Sequence, residues 1–148
     1  MIATALALAA ATRTISYDTG PCHGTCPDYK VTVSSNGQGV FEGRRFTAVE
    51  GERRFRVTPA QWRAFSEELR ALHGHGSLEL TGPPLCEQMA TDMSTVEVRW
   101  SGAWRPFTLR ANYGCRIKGQ DWMLTHLRQA PTALPNARFI GARGTAER

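Results

Sequence analysis

The side chains in this sequence whose types and spacing could do chemistry are four cysteines and the polar residues around them. Cys22 and Cys26 bracket His23, Gly24 and Thr25, and Pro27, Asp28 and Tyr29 follow at once. Cys86 and Cys115 stand apart, with Asp92 and Tyr113 nearby in sequence. Three chemistries use such residues. Four thiolates in a tetrahedron hold zinc. A thiol–disulfide enzyme uses a cysteine pair at a helix N-terminus, where the local field lowers the thiol pKa. Plain disulfides use the sulfurs only as crosslinks. Ribbon-type zinc sites present two closely spaced cysteine pairs, and Cys86 and Cys115 do not supply the second. Cys22 and Cys26 are one residue further apart than a Cys-x-x-Cys redox pair, and a strand-like segment follows them. A haem-attachment motif needs its histidine after the second cysteine. The sequence therefore predicts structural disulfides, with a zinc site on the four cysteines and a thiol–disulfide redox protein as alternatives. No metal and no cofactor are expected.

A second constellation is more dispersed. His23, Asp28, Asp92 and Tyr113 converge if the two cysteine-bearing loops are neighbours, and such a set is capable of acid–base work or ligand binding. The plainer reading makes the aspartates turn caps and packs the tyrosine at a sheet edge. No Gly-x-Ser-x-Gly elbow and no phosphate-binding glycine loop occur. Arg54 and Arg56 alternate with Phe55 and Val57, so both arginines share the face opposite the apolar pair. That face is either simply solvated or a contact for an anionic partner. Nucleic acid is not the expected partner, because single-strand binding places aromatics on the basic face, and here they point the other way.

The elements that must position these groups are legible as patterns. Ile15 and Tyr17, then Tyr29, Val31 and Val33, alternate with polar residues and predict two strands. Asn36-Gly37 marks a turn. Because opposed residues share a face, a three-residue loop at 36–38 sets Val33 against Phe41. Phe55 and Val57 predict a further strand after a bend at 48–52. Thr58-Pro59-Ala60-Gln61 is a capping box with proline at the first helical position, and Trp62, Phe65, Leu69 and Leu72 recur at helical spacing until His73-Gly74. Residues 75–94 read as a long irregular loop. Val96, Val98 and Trp100, then Phe107, Leu109 and Ala111, form a hairpin around Ser101-Gly102. A second helix is predicted from Gln120 to Gln129, partly burying Trp122, Leu124 and Leu127. Pro131 and Pro135 stop it, and Phe139-Ile140 add a last contact.

This hairpin bears on the cysteines. Folding it back brings Cys86 within a few residues of lying opposite Cys115, so the predicted pairing is Cys22–Cys26 and Cys86–Cys115. Gly24 is expected to supply the positive φ that a loop as tight as Cys22–Cys26 often needs.

Composition sets the remaining bounds. The chain has 148 residues, 41% of them hydrophobic and 21% charged, with 18 basic and 13 acidic residues and a formal net charge of +5. That length is ordinary for one domain able to bury a core. Residues 2–11 are small and apolar, too few to span a bilayer but suited to the apolar region of a secretory signal. No Lys or Arg precedes them. The expected organisation is a signal-like or disordered arm at 1–12, a single domain at 13–140 and a disordered tail at 141–148. No transmembrane segment is expected.

The motif Cys22-x-Gly24-Thr25-Cys26-Pro27-x-Tyr29, followed by a strand, Asn36-Gly37, Phe41-x-Gly43 and a helix, resembles a bacterial domain-of-unknown-function family (DUF6438-like). Thr91-Asp92, the hairpin and Tyr113-Gly114-Cys115 are similar as well, and the likeness covers about residues 13–130. His23 stands where the family pattern usually has an aromatic. The resemblance implies an α+β fold and an envelope location; it carries no known activity. Together these readings predict an α+β domain with an antiparallel sheet built from hairpins, packed against two helices, with disulfide-pinned loops. They predict an exported protein, periplasmic or secreted, acting as a non-enzymatic binding or accessory module toward an anionic envelope component or another envelope protein.

Overall fold

The computed structural model describes residues 11–119 and 121–141. The arm expected at 1–12 and the tail expected at 141–148 fall almost wholly outside the described residues.

Alternating apolar residues build most of one sheet. Strand β1 (Arg13–Thr19) lies at its centre, flanked by β2 (Asp28–Ser34) and β7 (Thr95–Gly102). The order continues outward through β3 (Gln38–Arg45) to β4 (Gly51–Arg56) on one side. On the other it runs through β8 (Phe107–Asn112) to β5 (Gly76–Leu80). Every pairing in this sheet is antiparallel except β5 with β8. The registers align the apolar positions across strands: Ile15 sits between Val33 and Trp100, and Tyr17 between Val31 and Val98. One face is therefore buried, and the opposite face is polar, with Glu97 bonded to Arg99 (2.6 Å) and Arg110 (2.7 Å). A separate two-stranded pair joins β6 (Gln88–Met89) to β9 (Cys115–Arg116).

Helices cover the buried face, which makes the fold α+β as the patterns predict. Helix α1 (Pro59–Arg70) begins with its capping box formed: the Thr58 side chain accepts from the Gln61 backbone N–H, and Gln61 accepts from the Thr58 N–H. Trp62, Phe65, Leu69 and Leu72 are all buried. Helix α2 (Trp122–Gln129) is tied to α1 by His126 and Glu68, 2.9 Å apart. A 3-10 turn (Ala130–Ala133) and a four-residue helix α3 (Ala137–Ile140) follow, so the chain turns past Pro131 and continues helically. Phe139 packs on Phe41 and Phe55, as a last contact should.

Five expectations are corrected. Val33 pairs with Gly39, and Phe41 with Val31. The loop does have three residues, but it is 35–37: Gly37 takes φ +92°, the left-handed position that ends such a turn, and this fixes the register two residues earlier. The hairpin of β7 and β8 does not turn at Ser101-Gly102, because β7 continues to Gly102 opposite Arg13 and the turn comes after it. Residues 75–94 are not all loop, since β5 and β6 lie there. Of the residues expected to be partly buried in α2, Leu127 is buried and Leu124 half-buried, but Trp122 is 42% exposed. Gly24 is not among the described residues with positive φ; that conformation belongs to Asp92 on the neighbouring segment, at φ 68°. Aspartate tolerates it better than most side chains.

Candidate functional site

The two cysteine-bearing loops meet at one end of the sheet. There β1 runs out, β2 begins, β7 begins and β8 ends. Both predicted disulfides are present, with Cα separations of 5.7 Å for Cys22–Cys26 and 5.2 Å for Cys86–Cys115. Both separations are ordinary for the bond. The second bridge is supported by the β6–β9 pair rather than by the hairpin alone. It holds residues 86–90 against the strand exit, where Ala90 donates its N–H to the Gly114 carbonyl (2.8 Å). A Cβ on Gly114 would sit 2.2 Å from the Ala90 oxygen, so glycine is required between Tyr113 and Cys115. The first loop is fastened from both sides: Gly20 N–H donates to Thr95 (2.8 Å), and His23 N–H donates to the Asp92 carbonyl (3.2 Å).

Between these loops and the helical layer lies a cavity of about 380 Å³. Its sheet-side wall is Tyr17, Thr19 and Tyr29, and the Cys22–Cys26 bridge with Pro27 forms one flank. Asp92, Met93 and Ser94 form another flank beside Tyr113. Arg128, Pro131 and Ile140 close it from the helices.

The polar groups inside are few and specific. The Tyr17 and Tyr113 hydroxyls lie 2.7 Å apart and share one hydrogen bond. Burial pushes the Tyr113 phenol up to about 12, although its hydrogen bond to Tyr17 and the charge of Arg128 pull it down part of the way. Tyr17 is likewise raised well above its ordinary value, by burial first and then by its tyrosine neighbours. Both phenols are therefore neutral hydrogen-bonding groups at physiological pH, not nucleophiles. The Arg128 guanidinium carbon lies 4.7 Å from the centre of the Tyr113 ring, a cation–π contact. Arg128 sits in the last turn of α2, where a cation suits the helix dipole.

The sequence-predicted residues divide into three groups. His23 and Asp92 come together at 3.9 Å on the exposed rim, and Asp92 and Tyr113 line the same cavity. Asp28 does not join them. It is buried and accepts a hydrogen bond from Arg44 Nε at 2.6 Å, and the same arginine also bonds Asp18. Partial burial works against the charge of Arg44, but its hydrogen bonds to Asp18 and Asp28 outweigh that and raise its pKa. Arg54 and Arg56 lie on the edge strand β4, away from the cavity lining; both are exposed, and Arg54 pairs with Glu52 at 3.3 Å. Because the four sulfurs are paired with each other, the tetrathiolate zinc arrangement is not formed.

Sequence reasoning missed Tyr17 and Arg128. Tyr17 reads as one more apolar residue of a strand, and nothing in its spacing announces that its hydroxyl meets Tyr113. Arg128 reads as a solvent-facing helix residue.

The family model for a domain of unknown function (DUF6438) matches residues 13–130 of this chain. No curated protein and no solved structure matches it significantly. No helix among the described residues is long and apolar enough to cross a membrane.

Proposed function

We propose, for a chain that belongs to the DUF6438 family of unknown function, a role as an exported, disulfide-braced binding module whose ligand site is the cavity between the two cysteine-bearing loops. The observation that carries this reading is the cavity itself: about 380 Å³, mostly apolar walls, and a small convergent set of polar groups in Tyr17, Tyr113 and Arg128. That is the usual make-up of a small-molecule site. Binding rather than turnover is supported by the state of the groups present. The phenols are held protonated and the sulfurs are bridged, so no activated nucleophile faces the cavity. Export is supported by the two bridges, which persist in oxidising compartments.

The test is a small-fragment screen on the oxidised, isotope-labelled chain, read by amide chemical shifts. The reading expects hits that cluster on Thr19, Cys26, Ser94, Tyr113 and Arg128. Hits confined to β4 around Arg54 and Arg56 would instead support contact with an anionic envelope surface. A parallel alkylation map distinguishes a binding module from a zinc protein and from a redox protein. Four thiols blocked until reduction fit the module, four free thiols with one bound zinc fit a metal protein, and one easily reduced pair fits a redox protein.

A further inference from the structure

We propose that the cavity takes a small monocarboxylate with an apolar body, its acid group held by Arg128 and the Tyr17–Tyr113 hydroxyl pair. This inference rests on the cavity being the ligand site. Donors come first. Arg128 carries five N–H donors in a planar fork, and among the described residues no carboxylate pairs with it. Its guanidinium carbon sits 4.7 Å from the centre of the Tyr113 ring, and a guanidinium held by a ring face can still offer N–H groups to a bidentate acceptor. Beside it, one tyrosine hydroxyl donates to the other, which leaves one phenolic proton over. A carboxylate supplies two acceptor oxygens to such a set. A neutral amide supplies one, and its two N–H donors find no acceptor on Arg128.

Charge decides between anions. Among the described residues, Arg128 is the one cationic side chain lining the cavity, and Asp92 is the one carboxylate. The wall therefore carries no net charge. Asp92 repels either anion, but it repels a phosphate monoester dianion about twice as strongly, and one guanidinium matches the charge of a monoanion and not of a dianion. The remaining lining includes Pro27, Met93, Pro131, Ile140 and the Cys22–Cys26 bridge. Such walls suit a hydrocarbon or aromatic body better than a polyol, most of whose hydroxyls would face apolar side chains, with Thr19, Asp92 and Ser94 the further polar lining. A volume near 380 Å³ stands at the small end of ligand cavities and fits a ring with a short chain.

Three probes that share a ring and differ in the head group separate the possibilities: phenylacetate, phenylacetamide and phenyl phosphate. Each is titrated into the oxidised full chain and followed by amide shifts. Phenylacetate is expected to bind in the cavity, shifting Ser94, Tyr113 and Arg128, and to bind at least about tenfold more tightly than the other two. Arg128→Gln should abolish the preference for acid over amide. Arg128 is exposed, so losing its cation–π contact and its helix-end charge should lower the melting temperature by no more than a few degrees and leave the chain folded. Tyr113→Phe should weaken phenylacetate several-fold and change phenylacetamide less. If phenylacetamide occupies the cavity as tightly as phenylacetate, or if Arg128→Gln leaves the preference intact, the carboxylate inference is wrong and the cavity still stands as the site. If none of the three shifts cavity residues, both readings fail together.

Discussion

Cys22–Cys26 closes a separation of four residues, and Cys86–Cys115 closes one of 29. The two bridges have the same chemistry and lie at the same end of the sheet, yet they act on different properties. A crosslink stabilises by restricting the unfolded chain, and that restriction grows with loop length. The long bridge also fastens two segments distant in sequence, the β6 and β9 regions, to each other. The short bridge restricts little, but it lies in the cavity wall itself, next to Pro27. One bridge chiefly holds the fold and the other chiefly shapes the site. A cysteine count does not distinguish them; the position of each sulfur relative to the cavity does.

The largest expected effect breaks the long bridge. Cys86→Ser with Cys115→Ser should cost about 3.5 kcal/mol by the loop-closure relation. For a chain of this size that lowers the melting temperature by roughly 10 °C in a calorimetric scan. The next is a pH effect on the cavity wall. Unfolded tyrosine loses its proton near its ordinary value of 10.0, while folded Tyr113 keeps it until about 12. The folded state therefore binds more protons in that window. The stabilisation is complete below pH 10 and is lost as the pH rises toward 12, on the order of 2–3 kcal/mol. Denaturant melts at pH 9, 10.5 and 12 check it, and Tyr113→Phe should make the fall shallower without removing it, because buried Tyr17 is raised as well. Cys22→Ser with Cys26→Ser should cost only about 2 kcal/mol. A melting loss equal to that of the long bridge would erase the contrast. Tyr17→Phe removes one buried hydrogen bond and should cost about 1 kcal/mol in urea unfolding. Arg54→Glu with Arg56→Glu, on the edge strand β4, should change stability by less than about 0.5 kcal/mol and leave fragment binding in the cavity untouched.

Local signals were the legible ones. The capping box at Thr58–Gln61 and the apolar positions Trp62, Phe65, Leu69 and Leu72 define α1 by themselves. Alternation places β1, β2, β7 and β8, and hairpin reasoning pairs Cys86 with Cys115. Non-local decisions were not legible. Strand β5 is five residues long, and its sheet partner β8 lies about thirty residues on in a parallel pairing, so no turn announces it. The register of β2 and β3 hinges on which loop position Gly37 fills, and a shift of two residues preserves the alternation that the sequence displays. The site was half legible. The cysteine loops, Asp92 and Tyr113 could be singled out as residues, but their meeting depends on how the helical layer leaves one end of the sheet uncovered. Arg128 and the Tyr17 hydroxyl enter only through that packing.

The most direct test of the division between the bridges compares ligand affinity in the two double cysteine variants, at a temperature where both remain folded. The probe is whichever of phenylacetate and phenylacetamide binds the native chain more tightly. The account predicts that Cys22→Ser with Cys26→Ser loses at least about tenfold in affinity, equivalent to about 1.4 kcal/mol, while Cys86→Ser with Cys115→Ser binds within about threefold of the native chain. Native affinity without the short bridge, with affinity lost only when the long one is removed, would contradict it.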